Sequence, residues 1–267
     1  MRQFADTPYM TIFRTGSLAF GFIALALDSL PLLAAGIAAP DYEQPKLLTG
    51  TIYETISGTN KVLYTFKRSA TRSNSTVYVL RDFFNPDGSI AAREEAVFER
   101  GQLVSFQLDE RQTGERGSAR VAADPKSSAK QRLSFDWMAN DGKKKTDHET
   151  LQQNTLVGDM IPYFIASHWN ELARGAEVNF RFVAQSRLET VGFKLVKESE
   201  LVWRGQPAVR LRMEASNLII AQLVDPLFFI VEKNGEHRVL EYIGRTTPKM
   251  RDGNKWKDLD ARTIYDW

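Results

Sequence analysis

The sequence has 267 residues, of which 43% are hydrophobic and 25% are charged, and its formal net charge is +2. Because positive and negative charges nearly balance, no global electrostatic field recruits nucleic acid or an anionic membrane, and no nucleic-acid partner is predicted. The absence of cysteine excludes disulfides, thiolate catalysis, cysteine metal ligands and a lipoprotein attachment cysteine.

The N-terminal region carries the pattern of an export signal. Arg2 and Arg14 precede an apolar run over residues 18–27, which has the length of a signal-peptide core. Residues 36–38 (Gly-Ile-Ala) offer small residues at the two positions that a signal peptidase reads, so cleavage after residue 38 is predicted. The alternative is an uncleaved inner-membrane anchor over residues 16–39, long enough for a bilayer core of about 30 Å, although Asp28 near its middle is costly. The predicted location is the periplasm or the cell envelope.

After a short linker at residues 39–46, most of the chain alternates apolar and polar residues, which is typical of β-strands. The strongest turn signals between strands are Asn-Pro-Asp-Gly at residues 85–88 and Asn-Gly at residues 234–235. Two polar stretches, residues 69–75 and 124–130, are interpreted as exposed loops. The short connections predict an antiparallel meander in which each strand pairs with the one before it.

One stretch, residues 158–173, has helical periodicity. Its apolar residues recur at steps of three and four and form one stripe, made of Ile161, Phe164, Ile165, Trp169 and Leu172. Asp159 is predicted to cap the start of this helix, and Gly175 is predicted to end it. The sequence therefore predicts one β-rich domain over residues 47–267. The fold class is mainly β, a large curved antiparallel sheet or partly open barrel with one central α-helix as its plug.

The search for catalytic chemistry finds no recognisable constellation. The three histidines, His148, His168 and His237, are isolated in the sequence, and strand alternation turns His148 away from Asp147 and Glu149. No zincin helix, nucleophile elbow, phosphate-binding glycine loop or dinucleotide fingerprint occurs. We predict no catalytic residue, no metal site and no cofactor, and an enzyme would need a polar cluster that only the fold assembles.

A surplus of apolar residues is the strongest functional signal. The chain has 16 phenylalanines, and residues 218–229 form a nearly continuous apolar run that a short element does not need. A curved sheet can either fill its interior with side chains or hold one apolar ligand. The candidate lining residues come from the helix, the strand after it and this run: Phe164, Trp169, Phe180, Leu218, Ile219, Leu223, Phe228 and Phe229.

Three segments resemble the second half of DUF3108-type proteins: residues 158–164 (Gly-Asp-Met-Ile-Pro-Tyr-Phe), 175–180 (Gly-Ala-Glu-Val-Asn-Phe) and 204–211 (Arg-Gly-Gln-Pro-Ala-Val-Arg-Leu). The resemblance implies an exported, β-rich envelope protein with a curved, partly open barrel similar to the lipoprotein-carrier folds. It implies no functional residue, because that family has no agreed site. Residues 218–229 depart from the pattern, since they are more apolar than the closing strands of the family.

Two functions from different classes are consistent with these patterns. In the first, a non-enzymatic envelope protein binds a lipid or another apolar small molecule in its curved sheet, with the helix and residues 218–229 as a lid. In the second, a structural or interaction protein presents a filled barrel to an envelope protein partner. A continuous apolar cavity distinguishes the first function from the second.

Overall fold

The computed structural model describes residues 40–55, 60–217 and 225–267. The predicted signal peptide lies outside the described residues, and so do three of the candidate lining residues: Leu218, Ile219 and Leu223. In the part of the chain that is described, no helix is both long enough and apolar enough to cross a membrane.

The described residues form fifteen β-strands and two short α-helices. The strands before the helices are β1 (Leu47–Glu54), β2 (Val62–Ser73), β3 (Thr76–Phe84), β4 (Ile90–Glu99), β5 (Gln102–Glu110), β6 (Glu115–Asp124), β7 (Ser127–Met138), β8 (Lys144–Thr150) and β9 (Thr155–Leu156). The helices are α1 (Ile161–Ser167) and α2 (Trp169–Ala173). The strands after them are β10 (Val178–Ala184), β11 (Glu189–Trp203), β12 (Gln206–Ala215), β13 (Leu227–Glu232), β14 (Val239–Asp252) and β15 (Lys255–Asp266).

The described strands all belong to one sheet, in the order β8-β7-β6-β5-β4-β3-β2-β1-β15-β14-β13-β12-β11-β10-β9. Neighbouring strands are antiparallel except β9 and β10, which run parallel. The predicted mainly β fold with one large antiparallel sheet is confirmed. The predicted meander is confirmed within each half of the sheet, and the pairing of β1 with β15 joins the halves at the centre.

The sheet curves around the helices. Ile165 and Leu172 have no exposed surface, and they share one apolar cluster with strand residues from both halves of the sheet. Phe135 of β7 and Leu211 of β12, for example, belong to this cluster and are fully buried. Because residues from both halves of the sheet pack in one cluster with the helical stripe, the helices occupy the concave side, as the plug interpretation predicts.

The helix differs from the prediction at its start and at its middle. It is divided at His168, and a 3₁₀ turn at Gly158–Met160 precedes α1. Asp159 makes no capping hydrogen bond, and its carboxylate accepts hydrogen bonds from Arg68 and Arg81. The prediction of a cap was wrong because two buried charged donors outweigh a cap worth about 1 kcal/mol. Gly175 ends the helical stretch as predicted, with a φ of 84°.

Two stretches that were predicted to be loops belong mainly to hairpins. Strand β2 continues to Ser73 and turns at Asn74, whose φ is 55°. Strand β7 begins at Ser127, directly after a tight turn that follows β6. In both places the backbone ladder extends beyond the buried core. Thr71, Arg72 and Ser73 at the end of β2 are exposed, so polar residues do not mark where the strand ends.

The predicted linker before β1 is docked onto the domain. Tyr42 is only 4% exposed. Its ring stacks on Phe98 with a centroid distance of 4.0 Å and meets the edge of Tyr163 at 4.8 Å. Tyr42 therefore anchors this segment to the concave side. The flanking residues Pro40 and Pro45 predict a linker and give no sign of this anchoring contact.

The edge strand β8 contacts the other half of the sheet through side chains. Glu149 accepts a hydrogen bond from the hydroxyl of Thr190 and, at 3.4 Å, one from its backbone N–H. Arg181 Nε donates to the same hydroxyl oxygen at 2.6 Å. We call Glu149, Thr190 and Arg181 the polar seam. It brings the ends of the sheet together without a backbone ladder, so the barrel is only partly closed.

Candidate functional site

A cavity of about 580 Å³ opens beside helix α1. Its walls come from residues 41–48, from helix α1, from residues 236–238 before β14 and from the end of β15. This volume lies in the range that is typical of small-molecule pockets. We call it the mouth cavity.

Apolar side chains are exposed at the rim of the mouth cavity. Leu47 is 58% exposed and Trp267 is 42% exposed, and both line this cavity. Leu48, Tyr163 and Tyr265 contribute further apolar or aromatic wall. Large apolar side chains that converge on a concave surface mark a ligand or partner site more strongly than apolar residues scattered singly.

The floor of the mouth cavity carries a buried ion cluster. Arg68 is 1% exposed and Asp159 is 5% exposed. Arg68 donates from Nε to Asp159 Oδ1 at 2.7 Å and from Nη2 to Oδ2 at 3.0 Å, and Arg81 Nη2 donates to Oδ1 at 2.8 Å. Removing Asp159 leaves two guanidinium groups without their shared acceptor in a desolvated site, so both arginines depend on this carboxylate.

The strand register explains why both arginines point inward. Arg68 of β2 lies directly opposite Arg81 of β3, and residues paired in this way share one face of a sheet. Phe66, two residues before Arg68, is buried on the same face. Arg68 alternates in step with the buried residues of β2, so the sequence could have identified it as a buried charge. The other members of the cluster, Asp159 and Arg81, come from other elements.

Arg68 also fixes the N-terminal wall of the cavity. Its Nη2 donates to the Tyr42 carbonyl at 2.6 Å, and its Nη1 donates to the Pro45 carbonyl. The Tyr163 hydroxyl of helix α1 donates to the carbonyl of Gln44. These contacts hold the segment before β1 against helix α1, so the shape of the cavity depends on the buried cluster.

A second cavity of about 130 Å³ lies deeper in the domain, and we call it the inner cavity. Its apolar lining includes Phe66, Phe83, Phe182 and Phe229. The two cavities adjoin, because three residues line both of them: Arg81, Pro162 and Tyr265. An apolar cavity of about this size is large enough for a benzene-sized group.

Glu94 is a carboxylate that lines the inner cavity. Arg81 Nη1 donates to its Oε2 at 3.5 Å, the limit of a hydrogen bond, and the Thr247 hydroxyl donates to its Oε1. Burial raises the pKa of Glu94, and the attraction of Arg81 and the Thr247 hydrogen bond offset only part of this effect. Burial also raises the pKa of Tyr265, so its phenol is neutral and can donate a hydrogen bond.

Four of the described candidate lining residues lie in the interior. Phe164, Phe180 and Phe229 are buried in the main apolar cluster, and Phe229 also lines the inner cavity. Trp169 is 9% exposed, and its ring stacks on His237 at a centroid distance of 4.2 Å, behind the rim of the mouth cavity. The structure therefore brings these four side chains together, mostly as core.

Phe228 lies on the opposite, outer face of the sheet. It pairs with Arg212, whereas Phe229 pairs with the buried Leu211. The guanidinium of Arg210 sits 3.9 Å from the centre of the Phe228 ring. Consecutive strand residues point to opposite faces, so the selection of both phenylalanines as lining residues is corrected to Phe229 alone.

The described histidines and carboxylates do not form a metal site. No group of three or more such side chains within the described ranges is arranged to hold a metal ion. His148 pairs with Ser134, while Asp147 and Glu149 pair with inward residues of β7, so His148 faces away from them as predicted.

The comparisons with known proteins identify no family. No family model and no curated protein matches the chain. Among solved structures, the chain is similar to the β-barrel-like protein of domain of unknown function DUF1849 from Brucella abortus. The similarity has a TM-score of 0.36 and 8% sequence identity, and it covers 82% of this chain and 92% of that chain. It is too distant to transfer a ligand or a site. The resemblance to DUF3108-type proteins stays a prediction.

Proposed function

We propose that the protein is an exported, non-enzymatic envelope protein that binds an apolar or amphipathic small molecule in the mouth cavity. The observation that carries this proposal is the exposure of Leu47 and Trp267 at the rim of a cavity of about 580 Å³. A ligand that covers these side chains removes apolar surface from water, which favours binding. The export part rests on the apolar run at residues 18–27, and an envelope role is also what the resemblance to DUF3108-type proteins implies.

The proposal is tested by uptake of a fluorescent fatty acid and by native mass spectrometry of protein purified without detergent. We expect the wild type to retain an apolar molecule and to take up the probe. A Leu47→Asp substitution places a charge at the apolar rim, and we expect it to weaken probe binding at least tenfold, which corresponds to about 1.4 kcal/mol. Leu47 is an exposed residue, so the fold should tolerate this substitution.

The matched control is Val202→Asp. Val202 of β11 is 71% exposed and does not line the mouth cavity, so its substitution adds the same charge to another exposed strand position. We expect probe binding by this variant to equal that of the wild type. The proposal would be contradicted if both variants lost the same amount of probe affinity, or if the wild type took up no probe.

A second function is favoured by the filling of the interior. The helical stripe occupies the concave side, where Ile165 and Leu172 have no exposed surface. A filled barrel suits a protein that presents its outer surface to an envelope protein partner. If the wild type binds no apolar probe, this interaction role replaces the ligand-binding role.

A further inference from the structure

We infer that the ligand of the mouth cavity carries an anionic head group, a carboxylate or a phosphate, and that Arg81 binds this group between the mouth and inner cavities. The inference rests on the proposed function and adds the chemical class of the ligand. It also sets the orientation, with the head group deep and the apolar part over Leu47 and Trp267 at the rim.

Arg68 is excluded as the head-group ligand, because its donors are already engaged. Nε and Nη2 contact Asp159, Nη1 donates to the Pro45 carbonyl, and Nη2 also donates to the Tyr42 carbonyl. Arg68 is thus a positioning residue for the cavity wall. The arginine with spare capacity is Arg81.

The hydrogen-bonding capacity of Arg81 is only partly used. Its Nη2 shares Asp159 with Arg68, so one carboxylate serves two guanidinium groups. Its other carboxylate partner is Glu94, at the long distance of 3.5 Å from Nη1. Arg81 Nε is buried and has no hydrogen-bond partner among the described residues, so one donor of this guanidinium is unsatisfied. An oxyanion in the cavity accepts from such a donor, and a buried donor without an acceptor is costly.

The surroundings of Arg81 leave room for an anionic group. Gly158 lines the inner cavity, and even a Cβ atom built on it would lie 3.9 Å from Arg81 Nη1, so no side chain occupies this place. Tyr265 lines both cavities. Its hydroxyl interacts electrostatically with Arg81, which lowers the pKa of the phenol, and with Glu94, which raises it. A guanidinium and a neutral phenol are suitable donors for an oxyanion.

The test compares ligands that share one alkyl chain and differ only in the head group. The probes are dodecanoate, monododecyl phosphate, dodecanol and dodecylammonium, titrated into the full-length protein at pH 7.5. We expect at least one anion to bind about tenfold or more tightly than dodecanol, since each tenfold step corresponds to 1.4 kcal/mol. We expect dodecylammonium to bind no more tightly than dodecanol. The better anion identifies the head group as carboxylate or phosphate.

Two variants assign the preference to Arg81. Arg81→Met should remove the preference for anions and leave dodecanol binding within about twofold, because the Arg68–Asp159 pair that fixes the N-terminal wall remains. The control is Arg93→Met on the same strand pair, where Arg93 makes an ion pair with Asp82 on the outer face. We expect this control to keep the anion preference. Circular dichroism and dodecanol binding report whether each variant is folded.

Glu94→Gln is a second variant, and we expect it to change anion affinity in the opposite direction from Arg81→Met. It keeps the shape of the side chain and its contact with Thr247 but removes the competing negative charge. We expect anion affinity to rise by about threefold or more, since a like charge near a bound anion disfavours it. This result does not depend on the stability of the Arg81 variant.

The outcomes separate this inference from the proposed function. If the wild type binds neither dodecanoate nor dodecanol, the proposed function itself is overturned. Equal binding of the anions and dodecanol to the wild type overturns the head-group inference and leaves an apolar mouth cavity. Loss of the preference in both Arg81→Met and Arg93→Met overturns the assignment to Arg81.

Discussion

Glu110 at the end of β5 is a carboxyl group that the fold buries without full compensation. It is 2% exposed, and its Oε2 has no hydrogen-bond partner among the described residues. Burial raises its pKa to about 8, although the charge of Lys249 opposes this shift. The folded protein therefore holds a proton on Glu110 at pH values where the unfolded chain has released it.

We expect this group to make stability depend on pH. The contribution is fully present below the unfolded pKa of about 4.3, and it is lost as the pH rises towards about 8, because the native state binds more protons in this window. Glu110→Gln cannot ionise. Its free energy of unfolding, relative to that of the wild type, should therefore rise between pH 4.5 and pH 8.5 by on the order of 2–5 kcal/mol. Urea unfolding at both pH values measures this difference.

The control for Glu110 is Glu95→Gln, at an exposed position on β4. We expect the stability of this variant to follow the wild type between pH 4.5 and pH 8.5, because an exposed side chain has similar surroundings in the folded and the unfolded chain. If the free energies of unfolding of Glu110→Gln and the wild type differ by the same amount at both pH values, Glu110 is not the source of the pH dependence.

At the scale of elements, the two helices are seated by a few large side chains. Trp169 begins α2, belongs to the main apolar cluster and stacks on His237. We expect Trp169→Ala to lower the free energy of unfolding by about 3–5 kcal/mol, because the lost apolar contact leaves a cavity. Chemical denaturation followed by far-ultraviolet circular dichroism measures the loss.

Asn170→Ala is the control for this helix. Asn170 is the next residue of α2 and is exposed, so its substitution should change stability by no more than about 0.5 kcal/mol. A loss under about 1 kcal/mol for Trp169→Ala would mean that the helix rests on the surface and does not plug the sheet.

Local sequence patterns predicted which elements form more accurately than they predicted where each element begins and ends. The stripe that includes Phe164 and Trp169 has a period that only a helix produces, and the structure confirms it. The role of Asp159 was missed, because a cap depends on the adjacent backbone while the actual partners come from β2 and β3. Phe228 was misplaced because a continuous apolar run hides the phase that separates the inner face from the outer face.

At the scale of the whole molecule, the polar seam connects the ends of a sheet that backbone pairing leaves open. We expect Glu149→Ala to lower the free energy of unfolding by about 1.5–3 kcal/mol, because it removes a charged acceptor of two hydrogen bonds from Thr190. Thr190→Val removes the other partner, and the double variant should cost less than the sum of the single variants. Urea denaturation of the four proteins measures this coupling.

Lys145→Ala is the matched control for the seam. Lys145 alternates with Glu149 on the same face of β8 but is exposed. We expect its substitution to be nearly neutral. If Glu149→Ala costs no more than Lys145→Ala, contacts other than the seam hold the ends of the sheet together.

The candidate site could not be predicted at this scale from the sequence. Four residues from separate parts of the chain line one cavity: Leu47, Arg81, Tyr163 and Trp267. Each of these residues has an ordinary local pattern, and only the pairing of β1 with β15 brings Leu47 close to the end of the chain. Predicting the site requires the strand order, which alternation and turn signals do not specify.

The pairing of β1 with β15 also sets the order in which the chain becomes protected during synthesis. Thr49 and Asp266, which face each other across this pair, are 217 residues apart. At a synthesis rate of about 5–20 residues per second, a nascent chain carries β1 for on the order of 10–40 s before β15 exists. During that time β1 is a free edge that can template pairing with another chain, a hazard that a chaperone can cover. The centre of the finished sheet is thus the last part to acquire both neighbours, and a chain that stops before β15 leaves that centre open.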